Sequence, residues 1–132
     1  MGCGLCEVAC ATEHSSSKNT IKAFKDEHIV PRNSVDRKEN LSYSINCRHC
    51  DDPSCVEACI TGAIDRDTKS DRVLIDTDRC VACWSCIMAC PFGVIKRDLE
   101  RNVSTKCDQC PDRENTACVD ACPNRALVYE ER

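Results

Sequence analysis

The 132-residue chain carries fifteen cysteines, a net charge of −4 and only 4% Phe, Trp and Tyr. A chain of this size makes one compact domain or two very small ones, and with so few aromatics it has little conventional core and relies on staples such as disulfides or metals. Charges of both signs are interspersed, which gives no basic surface for nucleic acid, and no apolar run approaches the ~20 residues of a membrane span.

In chain order, the first cysteines are Cys3, Cys6 and Cys10. Residues 11–46 follow without cysteine, and in them Ile29-Val30 and the alternating Leu41-Ser42-Tyr43-Ser44-Ile45 each read as a short strand. Next come Cys47, Cys50, Cys55 and Cys59, then Thr61 to Asp65, a polar turn, and Val73 to Asp76, which reads as a β-hairpin. Gly62 is placed to end the short helix carrying Cys59. Cys80, Cys83, Cys86 and Cys90 lead into Phe92-Gly93-Val94-Ile95, and Cys107, Cys110, Cys118 and Cys122 into a strand over 124–129. Each repeat reads as cysteine loop, short helix, turn and strand.

A disulfide framework is disfavoured. The opening MGCGLCEVAC has neither basic nor apolar signal region, and the cysteine count is odd. A reducing, cytoplasmic setting is expected. The third group, CVACWSCIMACP, has the full C-x2-C-x2-C-x3-C-P spacing of bacterial ferredoxins. The second and fourth groups widen the middle gap, and every group ends in C-x3-C. Three cysteines on a tight loop wrap one cubane; the helix then carries the fourth thiolate to a neighbouring cluster. Four motifs therefore imply two pairs and four [4Fe–4S] clusters. Zinc sites use two C-x2-C pairs about 15–20 residues apart, a poorer fit to tight triples.

The first group lacks one cysteine, whose place in the register precedes Met1. A start assigned one residue late is the simplest reading. A three-iron cluster, a substitute ligand such as the Met1 amine, and an empty site stay open. Closeness in sequence groups the second and third motifs into one unit over 46–99, with 1–45 and 100–132 forming the other around it; pairing in sequence order stays open. The fold class expected is α+β, with two ferredoxin-like two-cluster units built from short helices and β-hairpins.

The wording CGLCEVACATEHS, CRHCDDPSCVEACITGAI, CVACWSCIMACPFGVI and KCDQCPDRENTACVDACPNRALVYEE resembles the four-cluster electron-transfer subunits of molybdopterin oxidoreductases, hydrogenases and formate dehydrogenases. Within them it is most similar to the small iron–sulfur protein associated with carbon monoxide dehydrogenase; other relatives serve aldehyde oxidoreductases. The resemblance implies the nested pairing. One cluster then takes Cys47, Cys50, Cys55 and Cys90, and its mate Cys80, Cys83, Cys86 and Cys59. In the outer unit, one takes Cys107, Cys110, Cys118 and Cys10, and the last takes Cys3, Cys6 and Cys122. The partners implied are a catalytic redox enzyme, carbon monoxide dehydrogenase or similar, and a second electron donor or acceptor protein.

Trp84, inside the third loop, reads first as an aromatic lid and second as a shield of the cluster. Pro91 and Pro123 fix chain direction after the fourth cysteines. His14, His28 and His49 read first as surface or capping residues; His49, between two cysteines, also has the alternative of bonding a cluster sulfur. Asp51, Asp52, Asp108, Asp112, Arg113 and Glu114 read as solvated loop charges, with partner docking as the sharper alternative. No Ser-His-Asp set, Walker loop or G-x-G-x-x-G is present. The chain is thus expected to carry electrons rather than catalyse. A structural zinc adaptor and a hydro-lyase with an open iron at the first group are the competing readings.

Overall fold

A computed structural model describes residues 2–130. In chain order the elements are α1 (Leu5–Glu13), α2 (Thr20–Lys25), β1 (Ser34–Lys38), β2 (Leu41–Ile45), α3 (Ser54–Glu57), β3 (Ile64–Arg66), β4 (Val73–Ile75), α4 (Ser85–Ala89), β5 (Lys96–Asp98), β6 (Val103–Thr105) and α5 (Ala117–Asp120). The strands form three separate antiparallel hairpins, β1–β2, β3–β4 and β5–β6. Short helices and small antiparallel sheets make this an α+β fold. The chain divides into two compact units: the described residues of Met1–Asn46 with those of Gln109–Arg132, and Cys47–Asp108.

In the first unit, the start of α1 is set by Gly4, which at φ 78° is left-handed and accepts from the Glu7 and Val8 N–H groups. A β-carbon disfavours that conformation, so glycine fits it. The Asn19 side chain caps α2 by accepting from the Ile21 and Lys22 N–H groups at 3.0 and 3.2 Å. Ala11, Ala23 and Ile29 form a small buried cluster where α1 meets α2. Alanines there let the backbones approach closely, which is how so short a segment makes a core. Glu7 accepts from the Val35 N–H at 3.0 Å and Arg37 donates to the Gly2 carbonyl at 2.7 Å, tying α1 and the segment before it to β1. Arg113 spans α1 and α5, bonding Glu13 at 2.9 Å and Asp120 at 2.7 Å.

In the second unit, Ala63, Ile64, Val73, Val94, Ile95 and Val103 are buried. Ile64 and Val73 come from β3 and β4, and Val103 from β6, so both hairpins bury apolar side chains. The β5–β6 register, Lys96↔Thr105 to Asp98↔Val103, holds residues 96–105 together as one hairpin.

The strand over 41–45 and the hairpin of 64–66 with 73–75 stand where the sequence placed them. Ile29-Val30 is not a strand; Ile29 is buried against the two alanines instead. The helix α2 was not anticipated, because six residues show too few apolar turns to register a period. Val94 and Ile95 are buried but irregular, and the strand begins one residue later at Lys96. Residues 124–129 are irregular as well, with no strand partner among the described residues.

Lys18 and then burial, opposed in sign, act most on the Glu13 carboxyl; with Arg113 adding to Lys18, its pKa is held below 4.5. A depressed carboxyl stabilises above its ordinary range and loses that contribution as pH falls through the folded value. Arg113→Met should therefore cost about 0.5–1 kcal/mol at neutral pH, since the pair is partly exposed. Thermal unfolding should show a midpoint lowered by a few degrees at pH 7, with the difference shrinking below pH 4.

Candidate iron–sulfur sites

The four cysteine groups share a backbone pattern finer than their spacing. Counting the first group from its missing first cysteine, the helix of every group starts one residue before the third position: Leu5 before Cys6, Ser54 before Cys55, Ser85 before Cys86, Ala117 before Cys118. The residue preceding the second cysteine is left-handed in every group: Gly2 at φ 58°, His49 at 46°, Ala82 at 54° and Gln109 at 62°. Three of these carry a β-carbon, which makes the conformation costly by about 1–3 kcal/mol each. A left-handed residue next to right-handed ones turns successive N–H groups to one side, forming an anion-binding concavity of the kind found at phosphate and iron–sulfur sites. Strain repeated at the same register points to a shared anionic occupant.

The turn after the fourth cysteine also repeats. Gly62, Gly93 and Arg125 each lie three residues beyond it with positive φ, and each donates its N–H back to that cysteine's carbonyl at 3.2–3.3 Å. The first group departs, since α1 runs on to Glu13. Cys59 and Cys122 fall two residues beyond the ends of α3 and α5, so Gly62 closes the turn after Cys59 rather than the helix itself.

In the second unit, a cavity of about 340 Å³ is lined by Cys47, Cys50, Cys55 and Cys90. Its apolar wall is Val73, Phe92, Val94 and Ile95, and Asp51, Asp52, Pro91, His49 and Lys106 also line it. Burial pushes the Cys55 thiol up, Lys106 pulls it down, and Cys47 and Cys90 are close enough to push it up again. The other cysteines of this unit also neighbour one another: Cys86 feels Cys80 and Cys83, and Cys83 feels Cys59. Burial raises the Cys86 thiol, while the Ser85 hydroxyl and N–H lower that of Cys83. At Cys59 burial acts upward, yet the N–H groups of Ile64, Thr61 and Ala63 with the Thr61 hydroxyl bring the thiol below its ordinary value.

In the first unit, a cavity of about 330 Å³ is lined by Cys3, Cys6 and Cys122, together with Ser42, Ser44 and Asn124. Burial raises the Cys6 thiol. At Cys122 burial is outweighed by N–H groups of Leu127, Ala126, Asn124 and Arg125, and the thiol is lowered. Cys10 and Cys110 are buried. Cys10 Sγ accepts from the Arg32 N–H at 3.2 Å, and Cys118 Sγ lies 3.5 Å from the Thr116 hydroxyl. Cys107 belongs to the residue range of the second unit. No cysteine is disulfide-bonded.

The sulfur-rich cavities, the left-handed residues repeated in the loops and the thiol-lowering donors fit a cluster with thiolate ligands and negative charge. Residues 39–132 match a family described as a 4Fe-4S dicluster domain. The chain belongs to that 4Fe-4S dicluster family. It is 35% identical over its whole length to the electron transport protein HydN of Escherichia coli K12, covering 83% of that protein. It is 36% identical over 96% of its length to the putative electron transport protein YsaA of the same organism, covering 81% of it. To the probable anaerobic dimethyl sulfoxide reductase chain YnfG it is 35% identical over 97% of its length, covering 67% of that chain. The cofactors are [4Fe–4S] clusters, and the chain is an electron-transfer protein rather than a catalyst. No described helix is long and apolar enough to cross a membrane.

Trp84 is the left-handed cap of α4 at φ 62°, with Arg97 over its ring at 5.4 Å. Pro91 lines the first cavity, and Asp51 and Asp52 stand exposed at its edge. Pro123 directly follows Cys122. His14 Nδ1 donates to the Cys10 carbonyl at 2.7 Å, a capping role, and His28 is a left-handed loop residue. Asp112 and Glu114 are exposed, whereas Arg113 is engaged in ion pairs. His49 is not at the surface: it is 5% exposed. Burial, with Lys106 and Arg72 nearby, pushes its pKa down to about 4.

Lys106 escaped the reading of the sequence. It is 3% exposed, and its ammonium donates to the Val73 carbonyl, to Cys47 Sγ at 3.4 Å and to the Cys107 carbonyl at 3.4 Å. The signal available was a lysine immediately before a cysteine group, which alone does not distinguish a buried ammonium from a solvated one.

Because the left-handed conformation at Ala82 is required by the loop, Ala82→Gly should leave iron content unchanged and stability within about 1 kcal/mol. Ala82→Val places a β-branched residue there and should cost about 1–3 kcal/mol. Iron and acid-labile sulfide per chain, with thermal midpoints, would separate the two.

Proposed function

We propose that the chain conducts electrons through up to four [4Fe–4S] clusters, as the small subunit or carrier of a catalytic redox enzyme such as carbon monoxide dehydrogenase. The observation that carries this is the repetition, in four cysteine groups, of the same left-handed residue before the second cysteine and the same helix start before the third. A zinc site asks for four thiolates in a tetrahedron, usually from two separated C-x2-C pairs, which the tight cysteine triples fit poorly.

The ligand sets proposed are Cys47, Cys50, Cys55 and Cys90; Cys59, Cys80, Cys83 and Cys86; Cys10, Cys107, Cys110 and Cys118; and Cys3, Cys6 and Cys122. The four cysteines lining one cavity support the first, and the mutual influence of Cys59, Cys83, Cys80 and Cys86 supports the second. The cavity shared by Cys3, Cys6 and Cys122 supports the last, and motif spacing with the family resemblance supports the third. Under this scheme the central pair is nested within the pair formed by the two ends of the chain.

When bound, the clusters supply one-electron transfer. The protein's own residues hold them, exclude water and set their potentials by charge, hydrogen bonding to sulfur and exposure. Burial of Cys6, Cys10, Cys86 and Cys110 keeps water from one side of the first, third and fourth loops. Exposed Cys83 leaves one edge of its cluster open for electron exchange with a partner. Carbon monoxide dehydrogenase is the partner the motif wording favours. The names of the relatives, electron transport protein and dimethyl sulfoxide reductase chain, support a reductase partner as the second reading.

Anaerobically purified protein should contain about sixteen irons with equal sulfide, or about twelve if one site stays empty. In the reduced protein, Cys55→Ala and Cys90→Ala should abolish the same EPR component, and Cys59→Ala and Cys83→Ala another. Loss of one component by both Cys55→Ala and Cys59→Ala would sink the proposed pairing. Zinc in place of iron and sulfide would sink the electron-transfer role.

A further inference from the structure

The cavity lined by Cys47, Cys50, Cys55 and Cys90 has two buried nitrogen side chains among its lining residues. Lys106 is the first. An ammonium has three N–H donors and no acceptor. Its three acceptors are the carbonyls of Val73 and Cys107 and the Cys47 sulfur. That set satisfies the charged form completely and leaves no partner for the lone pair of a neutral amine.

His49 is the second. The Val73 N–H donates to His49 Nδ1 at 3.0 Å, so in the neutral ring the proton sits on Nε2. That Nε2–H is buried and has no hydrogen-bond partner. A buried donor left unmet costs about 1–3 kcal/mol, and His49 is one of the residues lining the cluster cavity. Val73 thus fixes both groups: its N–H sets the histidine tautomer and its carbonyl anchors the lysine. The His49 backbone N–H also reaches Cys47 Sγ at 3.5 Å.

The mate in the same unit has a different environment. Cys80 receives the Ser104 N–H at 3.5 Å, and the Ser104 hydroxyl lies 3.3 Å from Cys86 Sγ. These donors are neutral, and Cys83 is exposed. Asp51 and Asp52 at the edge of the first cavity, and Arg97 near the second, are exposed and screened by solvent.

We propose that Lys106 and His49 form a buried donor pair that raises the reduction potential of the cluster held by Cys47, Cys50, Cys55 and Cys90 above that of its mate, making it the electron trap of the central unit. A buried positive charge and hydrogen bonds to the cluster both stabilise the added negative charge of the reduced state. The step moves one electron from the mate to this cluster, with no proton moved and no bond made or broken. The proposal rests on the ligand sets given above. Lys106 and His49 act as positioning and tuning residues, and touch no substrate.

The test is an EPR-monitored redox titration of the full chain carrying Lys106→Met or His49→Leu, with iron and sulfide measured on each sample. Each variant should keep its iron and make reduction of one and the same cluster about tenfold less favourable, which is about 59 mV for one electron. Lys106→Arg should restore most of the shift. Unchanged potentials at full iron content would overturn the proposal. Should a variant lose its cluster, the wild-type protein decides the matter. With ¹⁵N-labelled histidine or lysine, the reduced higher-potential cluster should show a nitrogen coupling from each. Absence of both couplings overturns the proposal. Wild-type protein without iron–sulfur signals would overturn the electron-transfer reading itself, and the tuning proposal with it.

Discussion

The constraint on which this molecule rests is the need to surround a sulfur-rich anion with N–H groups using very short stretches of chain. A regular helix or strand spends its N–H groups on its own carbonyls. A left-handed residue helps to turn them inward, and one stands before the second cysteine position of every group, joined in the fourth group by Cys110. The cost falls on residues with a β-carbon: His49, Ala82 and Gln109. Backbone strain of that kind persists only where the surroundings over-determine it. Here the surroundings are a helix start, two neighbouring thiolates and the occupant they hold.

The same constraint explains the meagre apolar core. The most completely buried apolar side chains are small: Ala11 and Ala23 in one unit and Val73 in the other. Large apolar residues such as Ile60, Met88 and Leu99 are exposed. Burying so little apolar surface gives a unit of this size only marginal stability, at about 25 cal/mol per Å². Bonds from cysteine to iron then contribute folding free energy directly, and folding and cluster insertion become one linked process. The hairpins β3–β4 and β5–β6 serve as backing for the loops more than as an independent scaffold.

The cysteine spacing made the chemistry legible, because the cluster dictates distances between ligands that few other structures demand. The hairpin from Ile64 to Ile75 was legible through its alternating apolar residues and polar turn. The role of Ile29 was not: its apolar side chain packs on two alanines in a segment without period, and only tertiary contact decides it. Val94 and Ile95 were recognisable as buried, but whether buried residues pair as a strand depends on neighbours distant in sequence. Lys106 and His49 were the least legible. Polar residues are ordinarily exposed, and their burial here depends on Val73, which lies 33 residues from one and 24 from the other.

Val73 shows how a structural residue enters the redox chemistry without touching it. It is nearly fully buried, so its position in β4 is fixed by packing. Its two backbone groups point at the two donors rather than at solvent, which ties the rigidity of the hairpin to the electrostatics of the cavity. An ammonium on a four-carbon stem would otherwise move toward water and take its charge with it. Held against Cys47, the charge acts in a low-dielectric setting where it is screened little by salt. The small central unit thus places a buried positive charge against one set of thiolates, while the Ser104 donors to the sulfurs of the other are neutral. That asymmetry gives two clusters with the same ligand chemistry different affinities for an electron.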